Sequence, residues 1–293
     1  MGIHMNIRSA IILALSLVIL GTTPAWAQNR SDKDQVFAFF QQGQEQLKVY
    51  HFKEAEAYFK KALEKDPSHC PSFMGLLHSY LLLEDLKSVR ELLIQYPRPD
   101  GCTDTDKDYM EAILAEIRGK WEEALIHYEA IAKRDASDAK AYTYMAMIYL
   151  SQKEYTSGIE ACQQAIKADP NFFLARNVLG RLSQAQGNIV GATAAFEKAL
   201  QIFPNYAFGH ASLGDAYLRR GMAEKARAQF EEAERLEPEN CDLLAYIGNA
   251  FLATGKRAEA IRYYQKSLAV DPENAMIHYF LARIYLEEGE DEK

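Results

Sequence analysis

The sequence predicts an all-α protein, an α-solenoid of stacked helix–turn–helix units. Three observations predict it: a period of 34 residues that begins at Val36, small and large apolar residues held in phase with that period, and Gly and Pro residues sitting mostly where helices must end. The unit is clearest from Cys241 to Asn274, CDLLAYIGNAFLATGKRAEAIRYYQKSLAVDPEN. With its residues numbered from one, Ile247 and Phe251 at positions 7 and 11 share one helix face. Gly248 at position 8 lets a second helix come close, and Gly255 at position 15 suits the left-handed residue that closes a helix. Ala260, Tyr264 and Ser267 at positions 20, 24 and 27 give the second helix a small–large–small face, and Pro272 at position 32 stops it.

Complete units start at residues 36, 70, 105, 139, 173, 207 and 241, and a half unit starts at 275. The single step of 35, from 70 to 105, implies one inserted residue near 104. Position 8 reads Gly43, Leu77, Ala112, Ala146, Gly180, Gly214, Gly248 and Ala282; position 24 reads Phe59, Leu93, Tyr128, Cys162, Phe196, Phe230 and Tyr264. Position 32 is Pro in five of seven units, Pro67, Pro170, Pro204, Pro238 and Pro272. Together these residues resemble the tetratricopeptide repeat, and the resemblance covers everything after Asp34. It implies a right-handed superhelix whose concave groove binds proteins. It does not name the partner.

Taken in order, residues 1–27 read as a secretory signal peptide: Arg8, an apolar run from Ala10 to Leu20 too short to span a bilayer, and Ala25-Trp26-Ala27 as the cleavage pattern. An uncleaved anchor is the alternative. Cleavage implies an exported chain, periplasmic or secreted, with no membrane span in the mature protein. Residues 28–35 (QNRSDKDQ) read as a polar linker, followed by the repeat array over 36–288 and an acidic tail over 289–293. The first unit is atypical, with Gln42 and Gln46 at positions where other units are apolar, as expected at an end. In the second unit, Pro97 and Pro99 cut the second helix short, leaving the loop PRPDGCTD. Glu111 interrupts the apolar pattern of the third unit, and units five to seven are the most regular. The last segment forms one helix with Leu281, Ala282 and Tyr285 inward, capping the stack or belonging to a longer array.

Composition and motifs exclude several functions. A net charge of −8 with no Lys/Arg block argues against nucleic acid. There is no GxSxG, HExxH, CxxC or phosphate-binding GK[ST] loop, so no catalytic residue, cofactor or metal site is assigned. His210 and His278 at position 4 read as packing residues, and His51 and His127 have no acidic or Cys partner at metal spacing. Cys70 and Cys102 lie at the same end of the second unit and form a disulfide candidate; His69 beside them is too little for a tetrahedral metal site. Cys162 reads as a buried free thiol, and Cys241 has no evident mate.

In the tetratricopeptide family, positions 2, 5, 9, 12 and 13 line the groove. Carried onto this chain they split it in two. Phe40, Met74, Tyr109, Ile113 and Met147 offer apolar anchors; Asn177, Arg181, Gln184, Asp215, Arg219 and Asn249 offer polar ones. A row of exposed apolar groups implies contact with something, unless tighter helix packing or residues 28–35 cover it. The Lys that the chaperone-binding carboxylate clamp carries at position 5 is absent: no position 5 is Lys. The expected function is a non-catalytic adaptor holding a peptide or helix in the groove. The alternative is an assembly accessory in envelope or pilus biogenesis, working by self-association or complex formation through its outer face.

Overall fold

The computed structural model describes residues 25–96, 99–287 and 289. Among the described residues the chain forms fifteen helices joined by short turns, an all-α helical-repeat solenoid. It divides into two compact units, one ending at Asp106 and one beginning at Lys107. The first holds α1 (Ala25–Lys48), α2 (Phe52–Lys65), α3 (Cys70–Leu82) and α4 (Leu86–Gln95). The second holds α5 (Asp104–Ile117), whose first turn lies at the boundary, and then α6 (Trp121–Arg134), α7 (Ala139–Ser151), α8 (Tyr155–Ala168), α9 (Phe173–Ala185) and α10 (Ile189–Ile202). It continues with α11 (Ala207–Arg219), α12 (Ala223–Leu236), α13 (Cys241–Ala253), α14 (Arg257–Val270) and α15 (Ala275–Glu287).

The period is written into the backbone. Every second helix starts at position 17: Phe52, Leu86, Trp121, Tyr155, Ile189, Ala223 and Arg257. The residue at position 15 is left-handed in every repeat, with φ of 69° to 85° at Gly119, Gly187, Gly221 and Gly255, and 57° to 63° at Tyr50, Glu84 and Lys153. L-residues resist this conformation by ~1–2 kcal/mol. The turn holds them by returning two amides to the first helix, as Lys153 N–H does to Leu150 and Glu154 N–H does to Tyr149. Asp85, Asp138, Asn188 and Asn240 cap the helices that follow them by accepting from backbone N–H groups.

Close approach of the paired helices depends on position 8. A Cβ added at Gly43, Gly180, Gly214 or Gly248 would lie 2.5, 2.4, 2.6 or 2.7 Å from the ring at position 24 of the same repeat, which is Phe59, Phe196, Phe230 or Tyr264. All four rings are fully buried. Cys162 fills position 24 of the fourth repeat as a buried free thiol, its pKa pushed up to about 12 by burial. Cys241 is free and half-buried.

Several expectations need correction. Residues 28–35 are not an irregular linker; they are helical within α1. The leader assigned to residues 1–27 falls mostly on residues 1–24, which lie outside the described residues. His210 and His278 are more than packing residues: the ring Nε2 of each bonds the carbonyl of the preceding position-32 proline, Pro204 or Pro272, at 2.8 Å. Arg176, also at position 4, donates to the Pro170 carbonyl in the same way, so position 4 clasps the turn between repeats. His127 does have an acidic partner, Asp108 on α5, which its Nδ1 meets at 2.6 Å. Glu111 simply faces water.

In the second repeat, α4 has 10 residues where other second helices have 14. The loop that replaces the lost turn is stapled down. Cys70 and Cys102 form a disulfide with a Cα–Cα distance of 5.3 Å. Asp100 N–H donates to the Ser68 carbonyl, beside an isolated bridge between His69 and Asp100.

Candidate partner-binding face

Successive first helices of the second unit pack on one another, α7 against α9, α9 against α11 and α11 against α13. That packing decides which side chains remain available. Position 5 sits between neighbouring first helices, so Thr143, Asn177, Ala211 and Ala245 are all buried. The expected groove residues therefore separate into two groups.

The expected apolar anchors are mostly interior. Met74 is buried, Tyr109 is 1% exposed and Ile113 is 3% exposed, so they pack the fold and do not present a contact surface. Tyr109 packs edge-on against Tyr128 and Tyr144, with ring centroids 6.0 and 6.2 Å away, and its hydroxyl donates to Asp138 Oδ1 at 2.8 Å. Phe40 is half-buried against Phe59 and His69. Met147 is half-buried. Among the polar residues, Asn177 is fully buried and belongs to the interior as well. The covering reason is the one the pattern left open, tight helix packing.

Arg181, Asp215, Arg219 and Asn249 do come together, around one hollow of about 440 Å³. Four consecutive first helices build it. Leu150 comes from α7, Gln184 and Ala185 from α9 beside Arg181, and Tyr246, Ala250 and Ala253 from α13 beside Asn249. Helical spacing explains the convergence: positions 9, 12 and 13 lie on one face of each first helix. Asp215 is 4% exposed and both its oxygens are engaged. Gln184 Nε2 donates to one at 2.5 Å, and Arg219 Nε donates to the other at 2.9 Å. Asn249 Oδ1 accepts from the Tyr264 hydroxyl at 2.7 Å, which anchors it to its own second helix. Tyr246, at position 6, was not legible as a lining residue.

Polar groups elsewhere serve the fold. Asp108 accepts from both His127 and Arg134; partial burial opposes ionisation, but the two donors hold its carboxyl below the usual carboxylate range. Glu116 accepts from the Tyr128 hydroxyl at 2.5 Å, yet burial outweighs that bond and pushes the carboxyl up to about 7. Burial also lifts the Tyr109, Tyr128 and Tyr144 hydroxyls well above their ordinary range. His69 Nδ1 lies 2.8 Å from the Ser72 hydroxyl, and its cysteine neighbours are joined to each other. Among the described residues no group of three or more His, Cys, Asp or Glu could hold a metal, and no helix is long and apolar enough to cross a membrane.

Paired helices at a 34-residue period, an aromatic ring seated on a glycine within each of four pairs, and a lined hollow across the first helices define a helical-repeat scaffold of the kind that binds other proteins. The chain is a tetratricopeptide repeat protein: profiles of that repeat match residues 139–172, 183–247 and 247–293. No curated protein matches it. Among solved structures it is similar to TTC0263, a thermophilic tetratricopeptide repeat protein of Thermus thermophilus, at 20% identity and a TM-score of 0.56, covering 62% of this chain and 99% of that one. It is similar also to a tetratricopeptide repeat protein from Parabacteroides merdae, at 17% identity and a TM-score of 0.53, covering 86% and 99%. At these identities the likeness is one of fold. Proteins built on this repeat are in general non-catalytic interaction scaffolds.

Proposed function

We propose that this protein is a non-catalytic adaptor that holds a peptide or helical segment of another protein in the hollow of α7, α9, α11 and α13. The observation that carries the reading is the convergence of Arg181, Arg219, Asn249 and Tyr246 on one hollow of about 440 Å³, within the range of ligand-binding clefts. Apolar walls from Leu150 and Tyr246 beside a few placed polar groups suit a segment anchored by one or two side chains. We place the protein in an exported, oxidising compartment. The leader pattern over residues 1–27 and the Cys70–Cys102 disulfide support that placement.

The test is peptide selection by phage display on the full chain, followed by affinity measurement on variants that fill the hollow. Ala185 and Ala253 both line it and both face water, so Ala185→Trp and Ala253→Trp occupy the hollow without disturbing the core. Selected peptides should bind each variant at least about tenfold more weakly, a loss of ~1.4 kcal/mol. Unchanged affinity in both variants would move the binding site elsewhere.

A second reading, self-association, is favoured by one feature. Met276, Tyr279 and Leu286 form an exposed apolar stripe along α15. Light scattering of wild type against Tyr279→Lys tests it, and a wild-type monomer at all concentrations would dismiss it.

A further inference from the structure

We propose that the hollow reads an acidic side chain of its partner segment, and that Asp215 and Gln184 are positioning residues that aim Arg219 at it. The inference rests on the reading that the hollow holds a peptide segment. It adds the chemistry of the anchor and the residues that set it.

Arg219 is engaged only through Nε, on Asp215 Oδ1 at 2.9 Å. Its two terminal amino groups have no acceptor among the described residues, and the side chain is about one-third exposed. A guanidinium held by Nε presents its terminal pair as a fork, which matches the two oxygens of a carboxylate. An Asp–Arg pair four residues apart on a helix is weak by itself and leaves the arginine free to swing. Here the acceptor is fixed from the other side. Asp215 is almost fully buried, and Gln184 on the neighbouring helix donates to its second oxygen at 2.5 Å. The carboxylate is thus gripped by α9 and α11 together, and Arg219 is held against a fixed point.

Charge selects the ligand. Arg219 faces the hollow beside a carboxylate whose oxygens are both occupied. A basic side chain would meet the Arg219 cation and find no available acceptor on Asp215. An acidic side chain meets the fork. The hollow runs over four first helices, so a segment can pass through it with a Glu or Asp at Arg219 and an apolar neighbour against Leu150 or Tyr246.

The experiment uses the full chain and two isosteric probes, acetyl-Ala-Leu-Glu-Leu-Ala-amide and its Gln twin. The readout is the Arg219 Nε–Hε signal by nuclear magnetic resonance, assigned by its loss in Arg219→Lys, with affinities from the same titration. The Glu probe should shift that signal and bind at least about fivefold tighter than the Gln twin, with the gap closing as salt rises. Positioning is separated from charge by three variants, each checked for folding by its melting curve. Asp215→Asn removes a repelling charge but keeps an acceptor for Nε, so it should bind the Glu probe at least as tightly as wild type. Asp215→Leu removes both and should bind about tenfold more weakly than Asp215→Asn, although simple Coulomb repulsion predicts no such loss. Gln184→Leu leaves every charge in place and should weaken the Glu probe about threefold; it decides the matter if Asp215→Leu does not fold. Equal binding of the two probes, or no shift with either, overturns the acidic-anchor inference. The phage-selected peptides and the two Trp variants then judge the peptide-binding reading independently. Affinity in Gln184→Leu equal to wild type overturns the positioning roles.

Discussion

Gly180→Ala tests the packing rule on which the repeats are built, because two effects of opposite sign meet at that residue. A Cβ at residue 180 falls 2.4 Å from Cε1 and 2.6 Å from Cδ1 of Phe196. The ring has little room to retreat, since Phe196 is fully buried among Ala192, Leu213 and Ala216, with Ile189, Leu200 and Tyr217 packed outside them. Overpacking of this kind costs ~1–3 kcal/mol. Helix propensity acts the other way, favouring Ala over Gly by ~1 kcal/mol in a helix interior. The net expectation is a loss of about 0–2 kcal/mol, where propensity alone would give a gain. Urea unfolding followed by circular dichroism measures it, with amide exchange in α9 as a local readout because repeat arrays do not always unfold as one unit. Adding Phe196→Leu should relieve the overlap, so the double-mutant cycle should show a coupling of ~1 kcal/mol or more. The fourth repeat displays the same trade, with Ala146 at position 8 and the smaller Cys162 at position 24. If Gly180→Ala melted above wild type by the amount propensity alone predicts, the close contact would not limit the helix approach and the reasoning would be refuted.

Three further outcomes are expected. Cys102→Ser opens a link between residues 32 apart and should cost the first unit ~3–4 kcal/mol on the chain-entropy account, read as the gap between oxidised wild type and the variant in urea; equal midpoints would show that the loop holds without the bond. Glu116 has a folded pKa of about 7 against an ordinary value of 4.5, so the folded state holds the proton longer than the unfolded state. Its contribution to stability should therefore fall as pH rises from about 4.5 to about 7, and Glu116→Gln should flatten that part of the pH profile and raise stability at pH ~8, whereas an unchanged profile would deny the shift. Tyr109→Phe should lose ~1–2 kcal/mol with its bond to Asp138 and leave peptide affinity unaltered, because Tyr109 is interior; weakened binding at full stability would return it to the binding face.

The repeat architecture was legible because it rests on residue size and spacing, which a sequence displays directly. Ala260, Tyr264 and Pro272 have one job each, and the same jobs recur 34 residues earlier. The hollow was legible only in its polar half. Arg181, Arg219 and Asn249 are large polar groups that resist burial, so groove positions and exposure agree for them. For Met74, Tyr109 and Ile113 the same positions said nothing about exposure, since an apolar side chain at a groove position is equally content between two helices. The roles of position 4 were missed for a related reason. A His or Arg there is read as packing until the proline carbonyl at the end of the preceding repeat is seen within reach.

By itself the sequence determined the period, the helix pairs and the place of the turns, and offered Cys70 and Cys102 as a candidate pair, all from residues within one repeat or a fixed step apart. The bond itself and the left-handed Tyr50, Glu84 and Lys153 came from the structure. Only the tertiary structure decided which groove residues are available and how they are aimed. Burial of Asn177 and Asp215 depends on how closely one first helix stacks on the next, and that distance is the sum of many small packing contacts. The grip of Gln184 and Arg219 on Asp215 likewise joins residues 31 and 4 apart, and the first of these bonds crosses from α9 to α11, a contact that no pattern of residue types encodes.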